Sequence, residues 1–171
     1  MDIKKITLSG VLFAVGLILH QLVPGIFGIK PDIQLAVLFI VILINNSFKG
    51  ALAAGFVSGI ITSLTTTFPG GQIPNFIDKI VSCIIMYFVI KLFSKFLNNF
   101  FTMALSGFVG TVISGTVFLT SAFYIVGLPG GMTLGFGFLT VVLPTAAVNV
   151  FVTPLLYKLV SSSAKYVGKT V

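Results

Sequence analysis

An all-α membrane protein, a bundle of six transmembrane helices, is expected from this chain on three grounds. Mean hydropathy is +1.17, with 57% hydrophobic and 8% charged residues, which places the chain outside the range that folds with water as its only solvent. The apolar runs are each near the length of a bilayer-crossing helix, roughly 17 to 25 residues, and lack the alternation of an outer-membrane barrel. The lysines stand at the ends of those runs rather than inside one patch.

The first span is expected over residues 5–23. It follows Lys4 and Lys5 like a signal peptide, but with no small-residue cleavage site it reads as an uncleaved helix. The second, 32–47, is short for a bilayer crossing and ends in the polar turn Asn45, Asn46, Ser47 before Lys49. That turn favours a separate third span, 49–68, over a merger that would leave five. The fourth, 74–96, starts at Pro74, a residue suited to a helix start. The fifth and sixth occupy 101–126 and 136–160. Residues 1–171 read as a single domain.

With both termini cytoplasmic, Lys4, Lys5, Lys49, Lys91, Lys95, Lys158, Lys165 and Lys169 fall inside, leaving Lys30 and Lys79 outside. The same arrangement gathers the loops VPGIFGIKPD, FPGGQIPN and LPGGMT at the outer end. The formal charge of +7 therefore reflects membrane topology and does not indicate nucleic acid. The single Cys83 permits neither an intramolecular disulfide nor a zinc cluster. No H-E-x-x-H, G-x-S-x-G or paired-acid metal motif is present, so no enzyme activity and no cofactor are expected.

The segment 65–79, TTTFPGGQIPNFIDK, concentrates chain breakers, amides and an acid–base pair between two apolar runs. Such a patch is costly in lipid unless it lines a site. Asn75, Asp78 and Ser82 follow i, i+3, i+7 spacing and share one helix face. Asp78 and Lys79 together suit a zwitterionic ligand. Lys30 and Asp32 read first as interfacial anchors, with Asp32 near a helix N-cap. His20 reads as an interfacial hydrogen bonder. Asn149, flanked by Thr145 and Thr153, forms a polar stripe that either bonds a neighbouring helix or faces a cavity. The small-residue ladders Ala51, Gly55, Gly59, Ser63 and Ser106, Gly110, Ser114, the latter with Gly107, Thr111 and Gly115 alongside, are expected to bring helices together. Gly10 and Ala14 form a weaker pair of that kind, suited to the bundle or to a partner. Phe68, Phe76, Tyr124, Phe136 and Phe138 flank the outer loops where a ring could stack.

The residues GIKPD and TTTFPGGQIPNFIDK, with six spans in under 200 residues, resemble the bacterial tryptophan transporter family, grouped with the substrate-binding S components of energy-coupling-factor (ECF) transporters. The resemblance implies an S-component fold in the bacterial cell membrane, with ligand bound near the outer face. It also implies a membrane T component and two cytosolic ATPases as partners. Gly10 and Ala14 then match the Ala-x-x-x-Ala docking motif of S components, with Gly in place of the first Ala.

On that footing L-tryptophan is the expected ligand, with outer loops one and three closing over the pocket. Asp78 is expected to meet its ammonium group, and Lys79 or the backbone amides of residues 70–74, including Gly70 and Gly71, its carboxylate. Gln72, Asn75 and Asn149 compete for the indole N–H, Phe68 offers a stacking ring, and Lys30 and Asp32 stand at the rim. Another aromatic compound or vitamin is the alternative ligand, and a scaffold or regulator that binds no small molecule is the alternative function.

Overall fold

The computed structural model describes residues 3–22 and 32–166, with side chains to residue 163. Lys30, Lys169, the loop of residues 23–31 and the side chain of Lys165 lie outside the described residues. The described chain is helical, with no strand. Helices α1 (Ile3–Leu22), α2 (Ile33–Asn45), α3 (Phe48–Leu64), α4 (Gln72–Phe96) and α5 (Asn99–Ile125) follow in order. After a turn of 3₁₀-helix at Pro129–Gly131, α6 (Leu134–Gly137) runs through the π-helical segment Phe138–Val142 into α7 (Leu143–Tyr166). These last three pieces make the sixth span. Helix α1, helix α5 and the stretch Leu134–Ser163 are long and apolar enough to cross a membrane, and α2 and α3 are shorter apolar helices.

The break between the second and third spans is real. Asn46 takes a left-handed conformation (φ 47°), and the Ser47 hydroxyl accepts from the Gly50 N–H to cap α3. The chain therefore has six spans, as its polar turn implied. Lys5 Nζ reaches the Ile44 carbonyl at 2.9 Å, joining the start of α1 to the end of α2.

Two boundaries differ from expectation for local reasons. Helix α3 stops at Leu64, and residues 65–68 peel away from it. There the β-branched Thr65, Thr66 and Thr67 precede Phe68-Pro69, and a residue before proline disfavours the helix. Helix α4 starts at Gln72, which puts Pro74 third in the helix, where its missing N–H is one of the unpaired donors of a first turn. The π-helical segment has a similar cause. Pro144 has no N–H to give Thr140, and the ladder widens just before it, with the Leu143 N–H bonding the Phe138 carbonyl.

Helix α2 is the axis of the bundle. Residues 33–42 are all buried, packed by α1, α3, α4, α5 and α7. At 13 residues it is roughly 20 Å long, against about 30 Å for the hydrocarbon core. Its N-terminal cap, Asp32, is consequently drawn down among its neighbours. The Asp32 carboxylate accepts from the Leu35 N–H at 2.9 Å.

Glycine sets the close approaches. A Cβ on Gly107 would strike the backbone carbonyl of Asn149, and one on Gly55 would strike the Cys83 side chain. Gly107 thus seats α5 on α7, the α3 ladder seats α3 on α4, and Gly110 on the neighbouring column of α5 admits Phe39 of α2.

Candidate ligand-binding site

A cavity of about 420 Å³ opens between the helices at the end where the loops 65–71 and 126–133 lie. It falls within the range of about 300–1,000 Å³ usual for small-molecule sites. One wall is charged and the others are apolar or hydroxylic.

The charged wall is built from four helices. Asp32 caps α2, Asp78 and Lys79 occupy the second turn of α4, Ser114 comes from α5, and His20 from the end of α1. Lys79 Nζ lies 2.6 Å from Asp78 Oδ2, 3.1 Å from Asp32 Oδ2 and 3.4 Å from Ser114 Oγ. Ser114 Oγ donates to Asp78 Oδ2 at 2.8 Å, and Ser82 Oγ, one turn further along α4, donates to Asp78 Oδ1 at 2.8 Å. His20 Nδ1 lies 4.0 Å from Asp32 Oδ1. Asp78 and Lys79 are each 1% exposed. Charges this deep persist only when paired and hydrogen-bonded, and here every charged atom of the pair has a partner.

The remaining walls are supplied by two loops and by α3, α5 and the sixth span. Phe68 meets Phe118 edge to face, ring centroids 5.3 Å apart, and both line the cavity. Leu119, Leu128, Pro129, Met132 and Val142 complete the apolar side. Thr62, Thr65, Thr66, Thr67, Thr111 and Thr145 add hydroxyl groups. Asn75 Nδ2 bonds both Thr66 Oγ1 (2.9 Å) and the Gly71 carbonyl (2.8 Å), tying the unwound residues after α3 to the start of α4.

Of the residues singled out in the sequence, Asp32, Asn75, Asp78, Lys79 and Phe68 meet around this cavity. Asp32 caps its helix as expected and also joins the charged network, and Lys79 is buried within it. Gln72 is exposed, with its carbonyl accepting from Ser63 Oγ at 2.7 Å, and is not part of the lining. Gly70, at φ 70°, turns the loop against Val126, and Gly71 packs beneath Thr66 and Phe68. Asn149 is buried between α5 and α7, its Nδ2 donating to Thr111 Oγ1 at 2.8 Å, while Thr111 and Thr145 line the cavity itself. Phe76 packs on Phe56, and Tyr124 and Phe136 point outward. Gly10 and Ala14 lie on the exposed face of α1, where a Cβ at Gly10 meets nothing within 4 Å.

Three contributors were not legible as site residues. Ser114 reads as one more small residue in a packing ladder, His20 as an interfacial residue, and Phe118 as one of 18 phenylalanines. Nothing local distinguishes them. Only their convergence on one cavity does.

The family model "Tryptophan transporter TrpP" matches residues 2–165. A probable tryptophan transport protein of Clostridium acetobutylicum is 42% identical over 168 residues, covering 98% of this chain and 97% of that protein. Proteins of the same description from Bacillus subtilis and Clostridium perfringens are 40% and 39% identical, each aligned over 95% of this chain and 93% of their own length. No solved structure matches the chain. Matched along nearly its whole length, the chain belongs to the tryptophan transporter TrpP family.

Proposed function

We propose that this chain is the substrate-binding membrane subunit for high-affinity tryptophan uptake, energised by a separate ECF module of a T component and two ATPases. Membership of a transporter family makes it a multi-pass bacterial membrane protein and not an enzyme. The observation that carries the reading is the cavity itself. It joins an apolar, ring-lined side to a cluster of fixed charges, the two halves an aromatic amino acid requires.

In this reading the indole lies against Phe68 and Phe118, and the amino-acid head group turns to the wall of Asp32, Asp78 and Lys79. The Thr66 hydroxyl accepts from Asn75 and from the Phe68 N–H, so its own proton is directed to the ligand carboxylate. The Asn75 amide donates through Nδ2, leaving its carbonyl oxygen for the indole N–H. Gly70 and Gly71 shape the loop behind them.

The test is calorimetric titration of the purified, detergent-solubilised protein with tryptophan, with tyrosine, riboflavin and thiamine as competitors. The chain contains no Trp, so indole fluorescence reports the ligand alone. Saturable one-to-one binding is expected. Preference for a competitor would reassign the ligand, and no binding by folded protein would favour a scaffold.

Coupling has its own test. Gly10→Leu changes an open face of α1 and should spare tryptophan binding while abolishing uptake in proteoliposomes containing the ECF module. Unchanged uptake would remove Gly10 and Ala14 from the docking surface. A reporter fused after Ser47 or Lys95 should be cytoplasmic. Labelling of either site from outside would overturn the orientation.

A further inference from the structure

With His20 neutral, the charged wall sets two carboxylates against one ammonium, and the geometry indicates which carboxylate is left over. Lys79 has three N–H donors and three acceptors around it, on Asp32, Asp78 and Ser114. It has no donor remaining for a ligand carboxylate. Asp78 is nearly as fully engaged. Of about four lone-pair positions on an ionised carboxylate, three are taken, by Ser82, Ser114 and Lys79, and its side chain is 2% exposed. Asp32 differs on both counts. It accepts from the Leu35 N–H and from Lys79, and its side chain is 25% exposed along the cavity wall. Among the described residues, the other ionisable group facing it is His20 of α1.

We propose that Asp32 is the specificity-determining residue that receives the ligand's ammonium group, with Asp78 serving as the resident counter-ion of Lys79, so that the cavity selects amines over acids. The inference rests on the reading above that this cavity holds the amino acid. Asp78 offsets the charge of Lys79 within the protein, and Asp32 keeps its own charge for a cation arriving from the cavity. The lysine orients Asp32 by holding Oδ2, which leaves the carboxylate fixed before the ligand arrives.

The experiment uses the full-length purified protein and three ligands: tryptophan, tryptamine, which keeps the ammonium alone, and indole-3-propionate, which keeps the carboxylate alone. Tryptamine should bind at least about tenfold more tightly than indole-3-propionate. Asp32→Asn should weaken tryptophan about thirtyfold or more, the usual consequence of removing one partner of a buried charge pair, and should abolish the preference for tryptamine. The paired variant Asp78→Asn/Lys79→Met removes one charge of each sign, leaves Asp32 facing the cavity without its lysine contact, and should retain that preference. Loss of the preference in the paired variant, or tryptophan affinity unchanged by Asp32→Asn, would overturn the assignment. Indole-3-propionate binding as tightly as tryptamine to the wild-type protein would overturn it without any variant. Failure of tryptophan itself to bind folded wild-type protein would overturn the reading of the cavity and Asp32's role with it. The two failures are therefore distinguishable.

Discussion

The small-residue ladders of α3 and α5 look alike in sequence and are used differently. On α3, Gly55 and Gly59 face the Cys83 and Phe76 side chains of α4, and the last rung, Ser63, bonds the Gln72 carbonyl. On α5, Gly107 faces the backbone carbonyl of Asn149, while Thr111 and Ser114 between the glycines turn to Asn149 and Asp78. Helix α3 has one close partner on that side. Helix α5 packs between α4 and α7 and borders the cavity, so rungs about 100° apart meet different surroundings. A ladder of small residues therefore measures how near another backbone can come. Its polar members acquire a role only where a third element converges.

Single substitutions can break that comparison. The largest effect is expected from Gly107→Ala, whose new methyl group meets a backbone carbonyl that has no rotamer to escape into, at about 3 kcal/mol. Gly59→Ala meets the Phe76 ring at 3.0 Å, which can swing aside, and should cost under about 1 kcal/mol. Thermal unfolding in detergent compares the two, and equal losses would show that the ladders are equivalent after all.

Next is Ser114→Ala, which deletes a donor to the buried Asp78 carboxylate. It should cost about 2 kcal/mol of stability, as for hydrogen bonds to charged groups, and weaken tryptophan binding. A stability loss with unaltered affinity in calorimetry would return Ser114 to a packing role.

Asn149→Val should cost about 0.6 kcal/mol, near the average for a hydrogen bond between membrane helices, and leave tryptophan affinity unchanged. A fall in affinity would place its amide in the ligand's reach. The smallest effect, within about 0.5 kcal/mol, is expected for Ser63→Ala, whose hydroxyl bonds a backbone carbonyl in an exposed position. A larger loss would mean that the α3 ladder also carries polar weight.

Legibility of the fold followed the cost of polar groups in lipid. Apolar runs, the turn at Asn45, Asn46 and Ser47, and the Pro and Gly residues marked the spans closely, except where residues 65–68 leave α3 to line the cavity. The block from Phe68 to Lys79 was conspicuous for the same reason, and it supplies Phe68, Asn75, Asp78 and Lys79 to the cavity. Gln72 in the same block points outward, because a helix start alternates faces within a few residues whatever the local composition.

Six helical spans, their lysine-rich ends and the neighbourhood of the polar block are consequences of composition and order, since each depends on residues close together in the chain and on what lipid tolerates. The site is of another kind. Asp32 and Lys79 stand 47 residues apart, and Lys79 and Ser114 stand 35 apart. No periodicity links them, and they meet because α2 is short enough to draw its cap into the bundle and because glycines let α3, α4, α5 and α7 close around it. Which of two carboxylates is used up by the protein and which faces the cavity is a matter of three-dimensional hydrogen-bond valence, and valence is settled only when the helices pack.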